Sequence, residues 1–446
     1  MTINLKTDPV SKSFYQYLWP ALTGMVIKSL FIMGDAWFIG QGVGADGLGA
    51  ISLTVPAYSI FTAIAMMIGI GGAAFMSIEV GKGNLKVGQT LLTQSLLITA
   101  VITSIGVALA MYNLDAMFAM MGASGNIAAL ATEYLSVMLQ FFVLYALAWV
   151  LSCFVRNDGN PKLATYAMSL GAILNLALDY LFVLEFGWGM AGAAYATGIS
   201  QLAIAGILLS HFVRQQGRLK LVLEGVGFSQ TRNILQIGLP IFFIEVTSAM
   251  TIVLFNYVLL HYFSENHVIA YGMMLNVGVL ALFVMVGISQ ACQPIISFNH
   301  GANRPHLVDE ILRLGLKAAI GSGVVFLVVV WLFSSNIAAL YLGEQPELIA
   351  LSATSLSFYF FGVPLMGFNM VVANLFQATA KPMQATVISL ARGFIFVAIG
   401  IVTLPLFFPE DGVWASVLFA EAVTALMSLV MLRAYQRQNN YQPAVA

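Results

Sequence analysis

Long apolar runs, broken only by short clusters of Gly, Pro, Asn and charged residues, follow one another along the whole chain. Each is near or above the about 20 residues that a helix needs to cross a hydrocarbon core of about 30 Å. They show no strict alternation of polar and apolar positions and far exceed the roughly 10 residues of a barrel strand, so they read as helices. Cutting at the punctuation predicts twelve spans, at about 14–39, 50–76, 89–112, 127–153, 162–184, 189–213, 235–261, 268–297, 311–335, 349–379, 383–408 and 412–434. The first run is too long for a secretory h-region and ends without a small-residue cleavage pattern, so it reads as a retained span. An all-α membrane protein is expected.

Composition agrees with the pattern. Of 446 residues, 60% are apolar and 8% charged, against roughly 25% charged in a soluble domain, so lipid is the solvent for most of the surface. The net charge of −1 comes without a basic tract, which leaves nothing to hold nucleic acid. Cys153 and Cys292 both sit inside apolar runs and build neither a disulfide framework nor a metal cluster.

Charge placement sets the orientation. With the N-terminus cytoplasmic, every Lys and Arg except Lys28 and Arg392 falls at or beside a cytoplasmic segment. The outward connections carry acids instead: Asp46, Asp115, Glu185, Glu265, Glu344, Glu347, Glu410 and Asp411. The positive-inside bias therefore holds at every crossing, with both termini cytoplasmic in a plasma membrane, the inner membrane of a bacterium.

The polar stretch from Arg214 to Arg232 divides the spans into two sets of six. At an offset of 220, Pro20 falls on Pro240, Ala50 on Ala270 and Gly81 on Gly301. One residue further, Pro161-Lys162-Leu163-Ala164-Thr165 matches Pro382-Met383-Gln384-Ala385-Thr386. A duplicated unit of six spans keeps its topology, so two six-helix bundles related by a pseudo-two-fold axis along the membrane normal are expected. The expected division is an amino lobe over 1–213, a cytoplasmic linker over 214–234 and a carboxy lobe over 235–446. Two similar lobes around a cleft suit alternating access.

An ionisable side chain at mid-bilayer costs about 2.5 to 3.5 kcal/mol on insertion scales, so each needs a partner, water or a task. Asp35 and Asp179 lie at matching depth near the outward ends of spans 1 and 5. Asn175, four residues before Asp179, points into the same space one turn deeper. Thr197 and Tyr134 reach a similar level. Together they form an oxygen-rich pocket for a proton, or for a sodium ion on Asp35, Asn175 and Asp179; the alternative is that the acids sit solvated at the headgroup edge. Lys28, Glu245, Arg392 and Glu421 lie near mid-membrane and can pair across the lobes, either as a structural ion pair or in a substrate or gating role. Pro20 and Pro240 permit kinks. No phosphate-cradling Gly-rich loop, zinc motif or Ser/His/Asp grouping is present, so neither ATP-driven transport within this chain nor a cofactor is expected.

Arg156-Asn157-Asp158-Gly159-Asn160-Pro161-Lys162, the Asn175 and Asp179 segment, and Gly189-Met190-Ala191-Gly192-Ala193-Ala194-Tyr195-Ala196-Thr197 resemble the multidrug and toxic compound extrusion (MATE) family. The second half agrees through Gln293-Pro294-Ile295-Ile296-Ser297-Phe298-Asn299-His300-Gly301-Ala302 and Phe376-Gln377-Ala378-Thr379-Ala380-Lys381-Pro382. The resemblance covers essentially the whole chain and implies export of amphipathic, often cationic compounds in exchange for protons or sodium ions. It matches Asp35, Asn175, Asp179 and Thr197, with Tyr134 beside them, to the amino-lobe acidic site of the DinF-like branch, and implies bending of the first helix near Pro20. The sodium-coupled NorM-like branch carries carboxy-lobe acids on spans 7 and 10. Glu245 matches the first, but span 10 offers only Asn369 and Asn374.

The reading is a proton-coupled (alternatively sodium-coupled) secondary exporter of drug-like small molecules, active as a monomer in the bilayer and not an enzyme. A sodium antiporter working from the carboxy lobe is the nearest alternative. A flippase for a lipid-linked intermediate would want a strongly basic cavity, and only Lys28 and Arg392 are available. An intramembrane enzyme such as an acyltransferase would need a His or a His/Asp pair at membrane depth, whereas His261 and His267 lie in an outward loop. A passive channel would not need the duplication.

Overall fold

The computed structural model describes residues 3–120, 125–222, 227–343, 345–409 and 411–440, so Glu344 and Glu410 fall outside the described residues. Among the described residues, twelve helices are long and apolar enough to cross a membrane. They are α1 (Val10–Gly42), α2 (Asp46–Gly81), α3 (Leu85–Tyr112), α4 (Gly125–Asn157), α5 (Pro161–Glu185), α6 (Gly189–Val213), α7 (Thr231–Tyr262), α8 (Glu265–Gly301), α9 (Pro305–Leu342), α10 (Pro346–Ala378), α11 (Pro382–Leu406) and α12 (Gly412–Gln438). Most run past the expected limits because their polar ends continue the helix beyond the apolar stretch. Large apolar side chains such as Trp19, Trp37, Tyr112, Trp331 and Leu340 stand exposed along them, as a lipid-facing surface requires.

Local chemistry sets where helices start and stop. Pro161, Pro305, Pro346 and Pro382 occupy first-turn positions, where the missing N–H is not needed. The Asn160 side chain accepts from the Leu163 amide at 3.2 Å and caps α5. The duplication recurs in the loop backbones. Asn84 N–H donates to Glu79 O at 2.8 Å, and Arg304 N–H, 220 residues on, to Asn299 O at 2.9 Å. Asn160 N–H donates to Val155 O at 3.1 Å, and Lys381 N–H, 221 residues on, to Phe376 O at 2.8 Å. These are Schellman closures, which need a left-handed residue. In the first copy it is Gly83 (φ 90°) or Gly159 (φ 87°), and in the second Asn303 (φ 55°) or Ala380 (φ 53°).

The chain forms two compact units. The amino unit comprises Met1–Pro9 and Trp19–Phe242, the carboxy unit Val10–Leu18 and Phe243–Ala446. Compared with the expected division, the linker and the first turns of α7 belong to the amino unit, and the first turns of α1 to the carboxy unit. Both helices change unit within two residues of a proline, Pro20 and Pro240. Within the amino unit the reason for the α7 assignment is close packing. A Cβ on Gly71 would stand 2.2 Å from Ile234 O, and one on Gly238 would stand 1.9 Å from Met67 O, so α2 and the start of α7 meet backbone to backbone. Lipid supplies no hydrophobic drive between helices, so approach of this kind, available only to small residues, is what joins them.

Asp158, in the Arg156–Lys162 motif, explains the linker. Its carboxylate accepts from the Arg218 amide (3.0 Å), the Leu219 amide (3.3 Å) and His211 Nε2 (2.9 Å). Gln89 Nε2 donates to Arg218 O at 3.2 Å, and the Arg218 side chain donates to Asn4 Oδ1 at 2.6 Å. In each unit the fourth span of the copy is central: α4 packs on α2, α3 and α6, and α10 on α8, α9 and α12.

Candidate functional site

The site in the amino unit begins with how α1 lies along α5. The Thr165 hydroxyl donates to Pro20 O at 2.8 Å. Further along, Gly34 meets Leu176, whose Cδ2 would be 2.3 Å from an added Cβ, and Gly42 meets Val183 at 2.4 Å. This contact carries Asp35, the neighbour of Gly34, to the face of α5 that holds Asn175 and Asp179. Both of those are fully buried. Asp179 is the last residue of the α-helical part of α5, which continues as a π-helical turn, Tyr180–Glu185. Such widened turns recur at functional sites.

The side chains close into one network. Asn175, with its amide oriented to satisfy both ends, donates to Asp179 Oδ2 at 2.9 Å and accepts from the Thr197 amide at 3.2 Å and hydroxyl at 3.3 Å. The Tyr134 phenol, from α4, stands beside Thr197 in the electrostatic field of Asp35 and Asp179. The carboxyls of Asp35 and Asp179 lie within hydrogen-bonding reach of each other. Two ionised carboxylates at that separation repel, and a proton on one of them would turn the contact into a hydrogen bond. Each acid also keeps a buried Oδ1 with no hydrogen-bond partner. Asp35, Asn175, Asp179, Thr197 and Tyr134 thus meet in one place, while Pro20 lies 15 residues, or about 22 Å, away along α1.

The mid-membrane groups sort differently. Arg392 and Glu421 pair with each other inside the carboxy unit and not across the lobes, with Nη2 to Oε1 at 2.7 Å. Asn369 donates to Glu421 Oε2 at 2.8 Å and joins them. Asn374 does not; it donates to Ser289 O at 3.0 Å on α8. Glu245 is half-buried on α7. Lys28 stands over the Trp149 ring, 5.3 Å from its centroid, in the amino unit. Among the described residues no group of three or more His, Cys, Asp or Glu is arranged to hold a metal ion.

Sequence reasoning missed Tyr58 and Tyr145, whose phenols are hydrogen-bonded to each other between α2 and α4. Tyr145 is 11 residues after Tyr134, about 20° away around α4 and three turns along it. That spacing was the available signal.

The MatE family model matches this chain twice, over residues 20–181 and 240–402. The chain belongs to the MatE family. The two matches begin 220 residues apart, the offset of the internal repeat. Among MatE relatives it is similar to the multidrug export protein MepA of Staphylococcus aureus (strain MSSA476), 25% identical over 432 residues, 95% of this chain and 94% of MepA. MepA of Staphylococcus haemolyticus (strain JCSC1435) is 24% identical over 427 residues, covering 95% and 93%. Among solved structures, an outward-facing multidrug resistance MATE family transporter of the MOP superfamily superposes with a TM-score of 0.93 at 20% identity, covering 99% of this chain and all of that one. A mutant of the Vibrio cholerae MATE transporter VcmN gives 0.91 at 21%, covering 97% and 99%. This MatE protein is therefore a multi-pass membrane transporter and not an enzyme.

Proposed function

We propose that this MatE protein is a secondary exporter of drug-like, predominantly cationic small molecules, driven by proton antiport through Asp35 and Asp179 in the manner of the DinF-like branch. It works by alternating access, as a monomer in a bacterial plasma membrane, with both termini cytoplasmic. Its relatives named as multidrug export proteins support the cargo class. The closeness of the two acids supports the ion, because one proton removes the repulsion between them, whereas a bound sodium ion would also need the Asn175 oxygen released from Thr197.

The chemistry follows from charge. With its shared proton the pair holds α1 against α5. Without it, two carboxylates about 4 Å apart repel by about 4 kcal/mol at an effective dielectric of about 20. Export then runs as a competition: a drug cation binds while the pair carries its extra negative charge, and a proton arriving from outside removes that charge and releases the drug. α1 is among the least buried spans, so it is the element free to respond, with Pro20 as its hinge.

The test is counter-ion flux. Purified protein in vesicles loaded with a pH-sensitive dye should move protons inward as a cationic drug moves outward, and Asp35→Asn should move neither. Drug export with no proton movement would remove the proposal.

A further inference from the structure

The repeat allows the two units to be compared position by position. The residues equivalent to Asp35, Asn175, Asp179 and Thr197 at offsets of 220 and 221 are Phe255, Phe396, Gly400 and Leu418, so the acid pair has no copy in the carboxy unit. That unit nonetheless carries its own buried carboxylate site on the corresponding spans, two turns away along α11. Glu421 comes from α12, Asn369 from α10 and Arg392 from α11. Their counterparts are Ser200, Ala148 and Gly171. At Gly171 a Cβ would stand 2.3 Å from Ile204 Cδ1, so in the amino unit that space is taken by Ile204, which a side chain there would have to displace.

Glu421 is 3% exposed and is held from two sides. Arg392 Nη2 donates to Oε1 at 2.7 Å and Nε at 3.2 Å, while Asn369 Nδ2 donates to Oε2 at 2.8 Å and to the Glu421 carbonyl at 2.9 Å. Asn369 is fully buried, and its Oδ1 has no hydrogen-bond partner. The guanidinium is placed by a local break in α11, the π-helical segment Ala391–Ile395. Thr251 donates to Gly393 O at 2.5 Å, and a Cβ on Gly393 would meet Thr247 Oγ1 at 2.6 Å, so α7 braces that segment. Tyr359 on α10 lies in the field of both charges, with Tyr271 on α8 behind it, and Glu245 is two residues before Thr247 on α7.

A buried carboxylate in a membrane span needs a cation or a proton. We propose that Arg392 is a tethered cation filling a monovalent-cation site formed by Glu421 and Asn369, so that the carboxy unit exchanges no ion and transport draws on the amino-unit site alone. The site itself stands independently; only its consequence for transport rests on the proton-coupling reading above. Removing the guanidinium leaves two carboxylate oxygens, the spare Asn369 oxygen and a space of guanidinium size, which suits a sodium-sized ion or a proton.

The experiment is thermal stability of the detergent-solubilised full chain at constant ionic strength, with sodium, lithium or choline chloride, each at mildly acidic and mildly alkaline pH. Wild type and Arg392→Met/Glu421→Gln should be indifferent to the choice of cation. Arg392→Met should be destabilised in choline at alkaline pH and recover by about 3 °C or more with sodium or lithium at the same pH. Recovery with acid alone is what any buried carboxylate left without its cation gives, so it is recovery with the small cations at alkaline pH that supports the proposal. An Arg392→Met protein destabilised alike in sodium, lithium and choline, whether or not acid rescues it, or unfolded in all of them while the double variant folds, is what a purely structural ion pair gives, and would overturn it. Because the readout is stability, it does not depend on whether transport is proton-driven.

Discussion

Asp179→Asn isolates the shared proton. The substitution keeps the shape of the side chain and exchanges one oxygen for an NH2 group. With its oxygen turned to Asn175 Nδ2, now 2.9 Å from Asp179 Oδ2, the new amide directs its NH2 at Asp35 and supplies permanently the hydrogen that the wild-type pair shares. The variant is then a fixed mimic of the proton-loaded site. In the wild type, a drug cation about 8 Å from the pair gains about 2 kcal/mol for each added negative charge at an effective dielectric of about 20. That is about thirtyfold in Kd. The sign is fixed: lowering the pH adds a proton, removes a negative charge and weakens binding of the cation. Fluorescence anisotropy of a cationic dye on purified protein, followed from mildly acidic to mildly alkaline pH, should show Kd falling by an order of magnitude or more in the wild type. In Asp179→Asn it should be flat, with the circular dichroism spectrum unchanged. A variant whose affinity follows pH with the wild-type slope would refute the reasoning.

Other perturbations test the scaffold. Gly71→Leu must push against Ile234 O, so overpacking should lower stability by about 1 to 3 kcal/mol, read as a lower midpoint in a thermal-shift assay. Asp158→Ala releases the linker at Arg218 and Leu219 and should make the Arg214–Lys220 stretch the first site of limited trypsin digestion, whereas wild type resists there. Glu421→Gln leaves Arg392 buried without its carboxylate and should cost about 3 to 5 kcal/mol, a larger loss of thermal stability than Asp179→Asn. Gly159→Ala, at φ 87° with Ile3 O 2.6 Å from the new Cβ, should destabilise, while Ala380→Gly at the equivalent turn should be neutral or stabilising by up to about 1 kcal/mol; the pair is compared in one melting series.

Much of this was legible because lipid leaves few ways to satisfy a backbone. Apolar run length, Pro and Gly punctuation and the 220-residue offset report on the twelve helices and the duplication directly. The same economy marked Asp35 and Asp179, with the Asn175 amide beside them, since ionisable groups inside an apolar span stand out even within about two turns of its end. Partners between distant spans were not readable. Nothing in the local sequence says that Arg392 meets Glu421 and not a residue of the other lobe, because that choice depends on the π-helical segment at Ala391–Ile395 and on the approach of α10. Tyr58 and Tyr145 were hidden for a different reason: a tyrosine in an apolar span has the signature of packing until its hydroxyl partner is known. The place of the linker and the start of α7 in the amino unit follows from the Gly71 and Gly238 contacts and the Asp158 staple, features of tertiary packing without a sequence period.

The most direct test of the central claim is export of a fluorescent cation from orientation-controlled proteoliposomes, with a proton gradient and a sodium gradient imposed separately on wild type and Asp35→Asn. Wild-type export driven by protons, not by sodium, and lost in Asp35→Asn is the expected result. Export driven by sodium and retained in Asp35→Asn would contradict the account and move coupling out of the amino unit.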